Sequence, residues 1–318
     1  MNEQEFYEQF YEELKPLAEE QGISLSRVAV PKNNGILQGI QLNCNCKESN
    51  VAPILYPERY REELQEGASV GPLAKRVFQE AMAGTQEVRN LLPYMNRETA
   101  GTHLRSAVVG YENNRETLKN VPHERVEDMA LYARWDFGNG VSAVVMEGML
   151  PELQMTKEEV LNTAKRNSRN QTILKPLSEV MEEKMREEGM DEGMIEDMMA
   201  MQPNRFMYVF STENYSQGAA LAADPDALKQ AYEKLGEDFY ILPSSVHETL
   251  LLPKSECPCR PAELKEMVMD INRRMVAPEV RLTDSVYEFD GCKLSLAGGL
   301  EMERDMDMTE IRSHRHSR

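Results

Sequence analysis

A dipeptide that forces the backbone to reverse constrains this chain most. Asn34-Gly35 stands between an extended-looking run at residues 28–30, followed by Pro31-Lys32-Asn33, and an apolar-rich run at residues 36–42. Asn and Gly tolerate the positive φ that both central positions of a tight hairpin turn require, so the pattern predicts a β-hairpin. The same chemistry recurs at Gly138-Asn139-Gly140, between residues 131–137 and 141–146. A third hairpin is read over residues 206–211 and 218–223. Closing strands are read over 280–282, 286–289 and 293–296, with a turn at Asp290-Gly291.

Helical patterns lie between these hairpins. Phe6, Phe10, Leu14 and Leu17 recur at helical spacing over residues 3–21, and Gly22 supplies a stop. Helices are expected over 58–65 and 70–82, with a mixed, mostly helical stretch over 87–121. Thr156-Lys157-Glu158-Glu159 opens a further helix as a capping box, Thr at the N-cap and Glu three residues on. Asp224-Pro225 and Arg260-Pro261 begin two more, the first ended by Gly236. Hairpins interspersed with helices, without a regular strand–helix–strand beat, predict an α+β fold with antiparallel pairing. The expected organisation is an N-terminal α+β lobe over 1–150, a helical connector over 151–202, a C-terminal α+β lobe over 203–299 and a disordered tail over 300–318.

The connector is the compositional oddity. Between Glu179 and Asp197 it carries nine acidic and two basic residues, with Met181, Met185, Met194, Ile195, Met198 and Met199 as its apolar positions. Methionine-rich faces make adaptable docking surfaces, although ordinary core packing uses the same spacing. The whole chain of 318 residues has a formal net charge of −18. That balance repels phosphate backbones, so no nucleic-acid partner is expected. No window approaches the roughly 18 apolar residues that a membrane span needs, and Met1-Asn2-Glu3-Gln4-Glu5-Phe6 does not resemble a secretory signal. The expectation is a cytoplasmic protein. Five cysteines, an odd number, argue against a disulfide framework.

The chemistry-bearing residues crowd at Ser244-Ser245-Val246-His247-Glu248, between the apolar runs 239–243 and 249–253. If the chain stays extended there, His247 and Glu248 point to opposite faces. If it makes one helical turn, Ser244 shares a face with His247 and Glu248, which is raw material for nucleophilic catalysis with His123 as an additional candidate. Ser245-Val246-His247-Glu248 also fits a Ser-x-x-Glu capping box, in which Ser and Glu serve backbone donors. Weaker candidates are the C-x-C pairs Cys44/Cys46 and Cys257/Cys259 for zinc. A basic face of Lys157, Lys165 and Arg169, with Arg166 and Lys175 near, is a candidate for an anion, and His314 and His316 for weak metal binding. No Gly-rich phosphate loop and no Gly-x-Ser-x-Gly elbow is present, and no cofactor is expected.

Several segments taken together resemble a known family. They are Lys32-Asn33-Asn34-Gly35 followed by Gly39-Ile40, and Pro53-Ile54-Leu55-Tyr56 followed by Tyr60. Asn114, Leu118, Val121-Pro122-His123 and Glu127-Asp128-Met129-Ala130 come next, then residues 156–167 and 239–253. Their order and spacing resemble an uncharacterised bacterial family, a domain of unknown function common in anaerobic Gram-positive bacteria and their mobile elements. The likeness runs from Phe6 to Phe289 and is most specific at residues 240–248. It implies a bacterial cytoplasmic protein of similar fold and carries over no activity, catalytic residue or ligand. The absence of a strong catalytic motif, together with the acidic, Met-bearing connector, leads to the expectation of a non-enzymatic binding or accessory protein with a protein partner at the acidic, Met-rich helix. The alternative is a hydrolase or small-ligand enzyme centred on Ser244, Ser245, His247 and Glu248.

Overall fold

The structure, a computed structural model, describes residues 2–44, 52–138, 141–200, 206–243, 245–257 and 259–298. It is α+β, and its sheets are antiparallel throughout. The chain divides into two compact units, residues 1–99 and 100–318. The expected tail over 300–318, with His314 and His316, lies outside the described residues.

In the first unit, α1 (Glu3–Glu20) starts at a reciprocal cap: the Asn2 side chain accepts from Glu5 N–H, and the Glu5 carboxylate accepts from Asn2 N–H. Phe6, Phe10, Leu14 and Ala18, spaced by one turn, are its buried stripe. β1 (Ile23–Lys32) and β2 (Gly35–Cys44) pair along their whole length, closing at Lys32 opposite Gly35. The hairpin is as expected, but its positive φ falls on Asn34 (60°) while Gly35 already belongs to the strand. β3 (Ile54–Leu55) adds to β2. There Gly39 is needed, because a Cβ would lie 3.4 Å from Leu55 O and overlap Ile54 Cγ2. After the short α2 (Arg61–Gln65), α3 (Val70–Leu91) packs against α1 and β3. Val70, Leu73, Ala74, Val77 and Phe78 meet the α1 stripe in one cluster. Each large side chain buried there contributes about 1.5–3 kcal/mol.

The second unit holds two sheets. After α4 (Arg97–His103), β4 (Leu104–Gly110) forms where a mostly helical stretch is expected. Past α5 (Arg115–Leu118), β5 (His123–Val126) turns through Glu127-Asp128 into β6 (Met129–Asp136). β6 also pairs with β7 (Ser142–Val144), which is the second expected hairpin. Asn139 and Gly140 lie outside the described residues. β6 is central to this sheet, with β4 on one side and β5 and β7 on the other. After α6 (Leu150–Leu153) comes α7 (Lys157–Arg169), capped by Thr156 and Glu159 as expected. It packs across β4 and β6.

The second sheet has six strands. β8 (Thr172–Pro176) pairs with β9 (Tyr208–Thr212), and between them lie α8 (Leu177–Glu187) and α9 (Glu192–Ala200). One helix is expected over 176–201; Gly189, at φ +80°, ends the first of the two. Residues 151–202 therefore contribute a packed helix and a sheet strand to one compact unit, and the division between units falls at Thr99/Ala100 instead of at 150. α10 (Pro225–Leu235) is capped by Asp224 and ended by Gly236 in the left-handed region. β10 (Phe239–Pro243), β11 (Thr249–Pro253), α11 (Pro261–Met275), β12 (Tyr287–Phe289) and β13 (Leu294–Leu296) follow among the described residues. The sheet order is β13-β12-β10-β11-β9-β8.

Residues 218–223 correct the third expected hairpin. They wind into a 3-10 helix, Gly218–Ala223, with every residue buried. The segment packs on β4 and β6 of one sheet and on β9 and β11 of the other. Small side chains allow this close approach, and at Gly218 none at all fits. A Cβ there would overlap Ser211 Oγ and lie 2.6 Å from Thr212 N and 2.7 Å from His247 O. Residues 280–282 likewise form no strand; Pro278–Val280 is a short 3-10 turn.

Candidate functional site

The stretch richest in reactive side chains is the connection of a β-hairpin. β10 and β11 pair from Phe239 opposite Pro253 to Pro243 opposite Thr249, so residues 245–248 lie in the connection between them. The capping-box reading is corrected, because two paired strands leave no helix for Ser245 and Glu248 to cap. Ser245 Oγ instead accepts from His247 N–H at 3.1 Å, a local turn bond. Ser244 lies outside the described residues.

The loop is pinned from several directions. Val246 is buried, and its N–H donates to Val280 O at 2.8 Å. The fully buried Ser211 donates its hydroxyl to His247 O at 2.8 Å. The His247 ring nitrogen Nδ1 accepts from Gln217 N–H at 3.4 Å, which requires that nitrogen to be unprotonated. Burial lowers the imidazole's affinity for a proton, nearby Glu248 raises it and Arg134 lowers it further. The direction is downward from the ordinary 6.5, so the neutral ring is favoured. Among the described residues, no hydroxyl or carboxylate is hydrogen-bonded to this ring. His123 is engaged elsewhere: its Nδ1 lies 2.8 Å from Val121 O and its ring faces Tyr111.

The other candidates are spent in comparable ways. Lys165 pairs with Glu124 at 2.8 Å, Arg169 with Asp224 at 3.3 Å and with Asp226, and Lys175 with Glu183 at 2.7 Å. Three of the cations expected to receive an anion already hold carboxylates. The Cys257 thiol is half-buried and contacts Cys259 O, and burial raises its pKa. Cys259 is exposed; the Cys44 side chain and all of Cys46 lie outside the described residues. Among the described residues no group of three or more His, Cys, Asp or Glu is placed to hold a metal ion.

On the Met-rich stretch the structure separates core from surface. Val180, Met185 and Ile195 are buried, while Met194 (62% exposed) and Met198 (45%), one turn apart on α9, face solvent. Among the described residues no helix is long and apolar enough to cross a membrane.

Two polar features escape the sequence reading. Tyr287, fully buried, donates its hydroxyl to Asp128 and lies 2.8 Å from Thr283 Oγ1. Ser285 donates to the other Asp128 oxygen at 2.7 Å. Burial and the neighbouring carboxylate push the Tyr287 phenol well above its ordinary range, so the network is a fixed tie between the β5–β6 turn and β12. The other is Asn272, 1% exposed, on the wall of a cavity of about 120 Å3 beside the β10–β11 hairpin. Its spacing on α11 marks it as inward-facing after Leu264 and Val268, and that heptad-like position is the only signal the sequence carries for it.

Compared with known proteins, the chain matches the model of a family described as a family of unknown function (DUF5688) over residues 3–291. No curated protein and no solved structure matches it.

Proposed function

The chain belongs to this family of unknown function, and from that premise we propose that it is a non-enzymatic binding protein whose protein partner docks on α8 and α9. The observation that carries the reading is the pair Met194 and Met198, exposed within a stretch rich in carboxylates. Exposed methionines supply adaptable apolar contact, and the surrounding acid selects a partner with apolar anchors flanked by Lys or Arg. The proposed setting is the bacterial cytoplasm, as an accessory of a mobile element. The free thiols of Cys257, Cys259 and Cys292 support a reducing compartment.

The competing reading is a hydrolase centred on Ser244, Ser245, His247 and Glu248. It is disfavoured because Ser245 Oγ accepts from a backbone N–H, and because the His247 ring accepts a backbone N–H where a catalytic base would hold a hydroxyl.

The test is affinity capture from a bacterial lysate with three forms of the full chain. Wild type and His247→Ala should retain one common basic partner, and the double variant Met194→Glu, Met198→Glu should lose it while keeping the same melting temperature. An ester- or peptide-hydrolysing activity abolished by His247→Ala would overturn the reading, as would undiminished capture by the methionine variant.

A further inference from the structure

In a chain with 54 acidic and 36 basic residues, an arginine readily finds a carboxylate. Arg27, Arg76, Arg169 and Arg186 each hold one in an ion pair. Arg105 and Arg134 do not, and they face each other: β4 and β6 set Arg105 directly opposite Arg134 in the antiparallel register. Residues so placed share a face of the sheet with Cβ atoms about 5 Å apart, and like charges there repel. On one side of the pair lie Ala107 and Tyr132. On the other lies Asp136, whose carboxylate accepts from Gly138 N–H at 2.9 Å. Among the described residues neither arginine forms an ion pair with it or with any other carboxylate. Burial holds the Arg105 guanidinium below its ordinary range, and the charge of Asp136 only partly offsets this. The pair is therefore a repulsive, partly desolvated doublet that the fold maintains without a counter-charge.

Each guanidinium is held by part of its donors and has others to spare. Arg105 donates Nε to Gln171 Oε1 at 3.1 Å, and Nη1 to Thr102 O at 2.6 Å and Leu104 O at 2.9 Å. Arg134 donates Nη2 to Ser142 Oγ. Among the described residues, Arg105 Nη2 and Arg134 Nε and Nη1 have no acceptor. Both side chains are partly exposed, so these donors are open to a solute. The surroundings are braced as well. The Gln171 carbonyl accepts from Glu213 N–H at 2.9 Å, which ties Arg105 to the segment 213–217. Gln217, at the other end of that segment, donates to the His247 ring, whose proton affinity burial and Arg134 both depress.

We propose that Arg105 and Arg134 together bind a small divalent oxyanion, inorganic phosphate or a phosphate monoester, whose oxygens accept from both guanidinium groups. Two fixed positive charges match two negative ones, and the planar N–H fork of arginine suits oxyanion oxygens better than a point charge does. The ion would also remove the repulsion between the opposed side chains. The site is separate from α8 and α9 and does not depend on the protein partner proposed above.

The test is calorimetric titration of the full chain at fixed ionic strength with inorganic phosphate, phenyl phosphate and acetate, in mildly alkaline buffer where the phosphates carry two charges. One phosphate should bind saturably per chain, and acetate, with one charge, at least about tenfold more weakly. Tighter binding of phenyl phosphate would assign the site to a monoester, and tighter binding of inorganic phosphate to the free ion. Arg134→Gln should weaken phosphate binding about tenfold or more, the scale of one charge-assisted hydrogen bond, with an unchanged circular dichroism spectrum. Arg105→Gln should do the same, and Arg166→Gln, which removes an exposed arginine of α7, should change nothing. Absence of saturable phosphate binding, acetate binding as tight as phosphate, or undiminished binding by Arg134→Gln would each overturn the site.

Discussion

The loop at 245–248 and the wall at Asn272 treat their polar atoms in opposite ways. In the loop, a hydroxyl and an imidazole crowd together and are drawn into fixing the backbone: Ser245 on His247 N–H, Ser211 on His247 O, the His247 ring on Gln217 N–H. At Asn272, one plain amide in an apolar surround is drawn inward and donates both its N–H bonds to a neighbouring loop, to Thr283 O and Asp284 Oδ1. Reactive residue types are therefore a poor guide to chemistry in this chain, because the backbone can claim them first.

The contrast breaks first at Gly218. Gly218→Val should cost at least about 3 kcal/mol in urea denaturation, since its side chain meets backbone at Thr212 and His247 and a well-packed interior does not yield. A cost below about 1 kcal/mol would mean that the loop is not held as described. Ser211→Ala comes next. It strips the donor from His247 O in a buried setting, and the same assay should report a loss of about 1–2 kcal/mol.

The smallest effect is a pH dependence. The folded state holds His247 below its ordinary 6.5, so the unfolded chain binds more protons in the window between the lowered value and 6.5. Stability should therefore rise with pH through that window and gain nothing further from this group above it. His247→Gln, compared with wild type by melting temperature from pH 5 to 7, should flatten that part of the profile. An unchanged slope would show that the ring is not kept neutral by its surroundings.

The sequence made local features legible and left the sheets' assembly hidden. Thr156 with Glu159, Asp224-Pro225 with Gly236, and Arg260-Pro261 carry their own stop and start chemistry within a few residues, and all three helices lie where expected. β4 carries no such signal. Leu104-Arg105-Ser106-Ala107-Val108-Val109-Gly110 is buried at nearly every position, so the alternation that marks a half-exposed strand is missing. Gly218–Ala223 reads as a strand because it is small and apolar, and only its neighbours in both sheets decide otherwise. The hairpin at 239–253 has no Asn-Gly or Asp-Gly in its loop to announce it. At the candidate site the residues could be named but not their commitments, since Ser211, Gln217 and Val280 reach the loop from elsewhere in the chain.

Gly218–Ala223 has a consequence for the order in which the protein can be made. β4 leaves the ribosome long before the segment that covers it, so its sheet must wait with an apolar face open to the cell. Residues 1–99 have their own internal partners and can finish while translation continues. A nascent chain stalled between these points would be half complete and adhesive, and it is there that a holding chaperone would be in greatest demand.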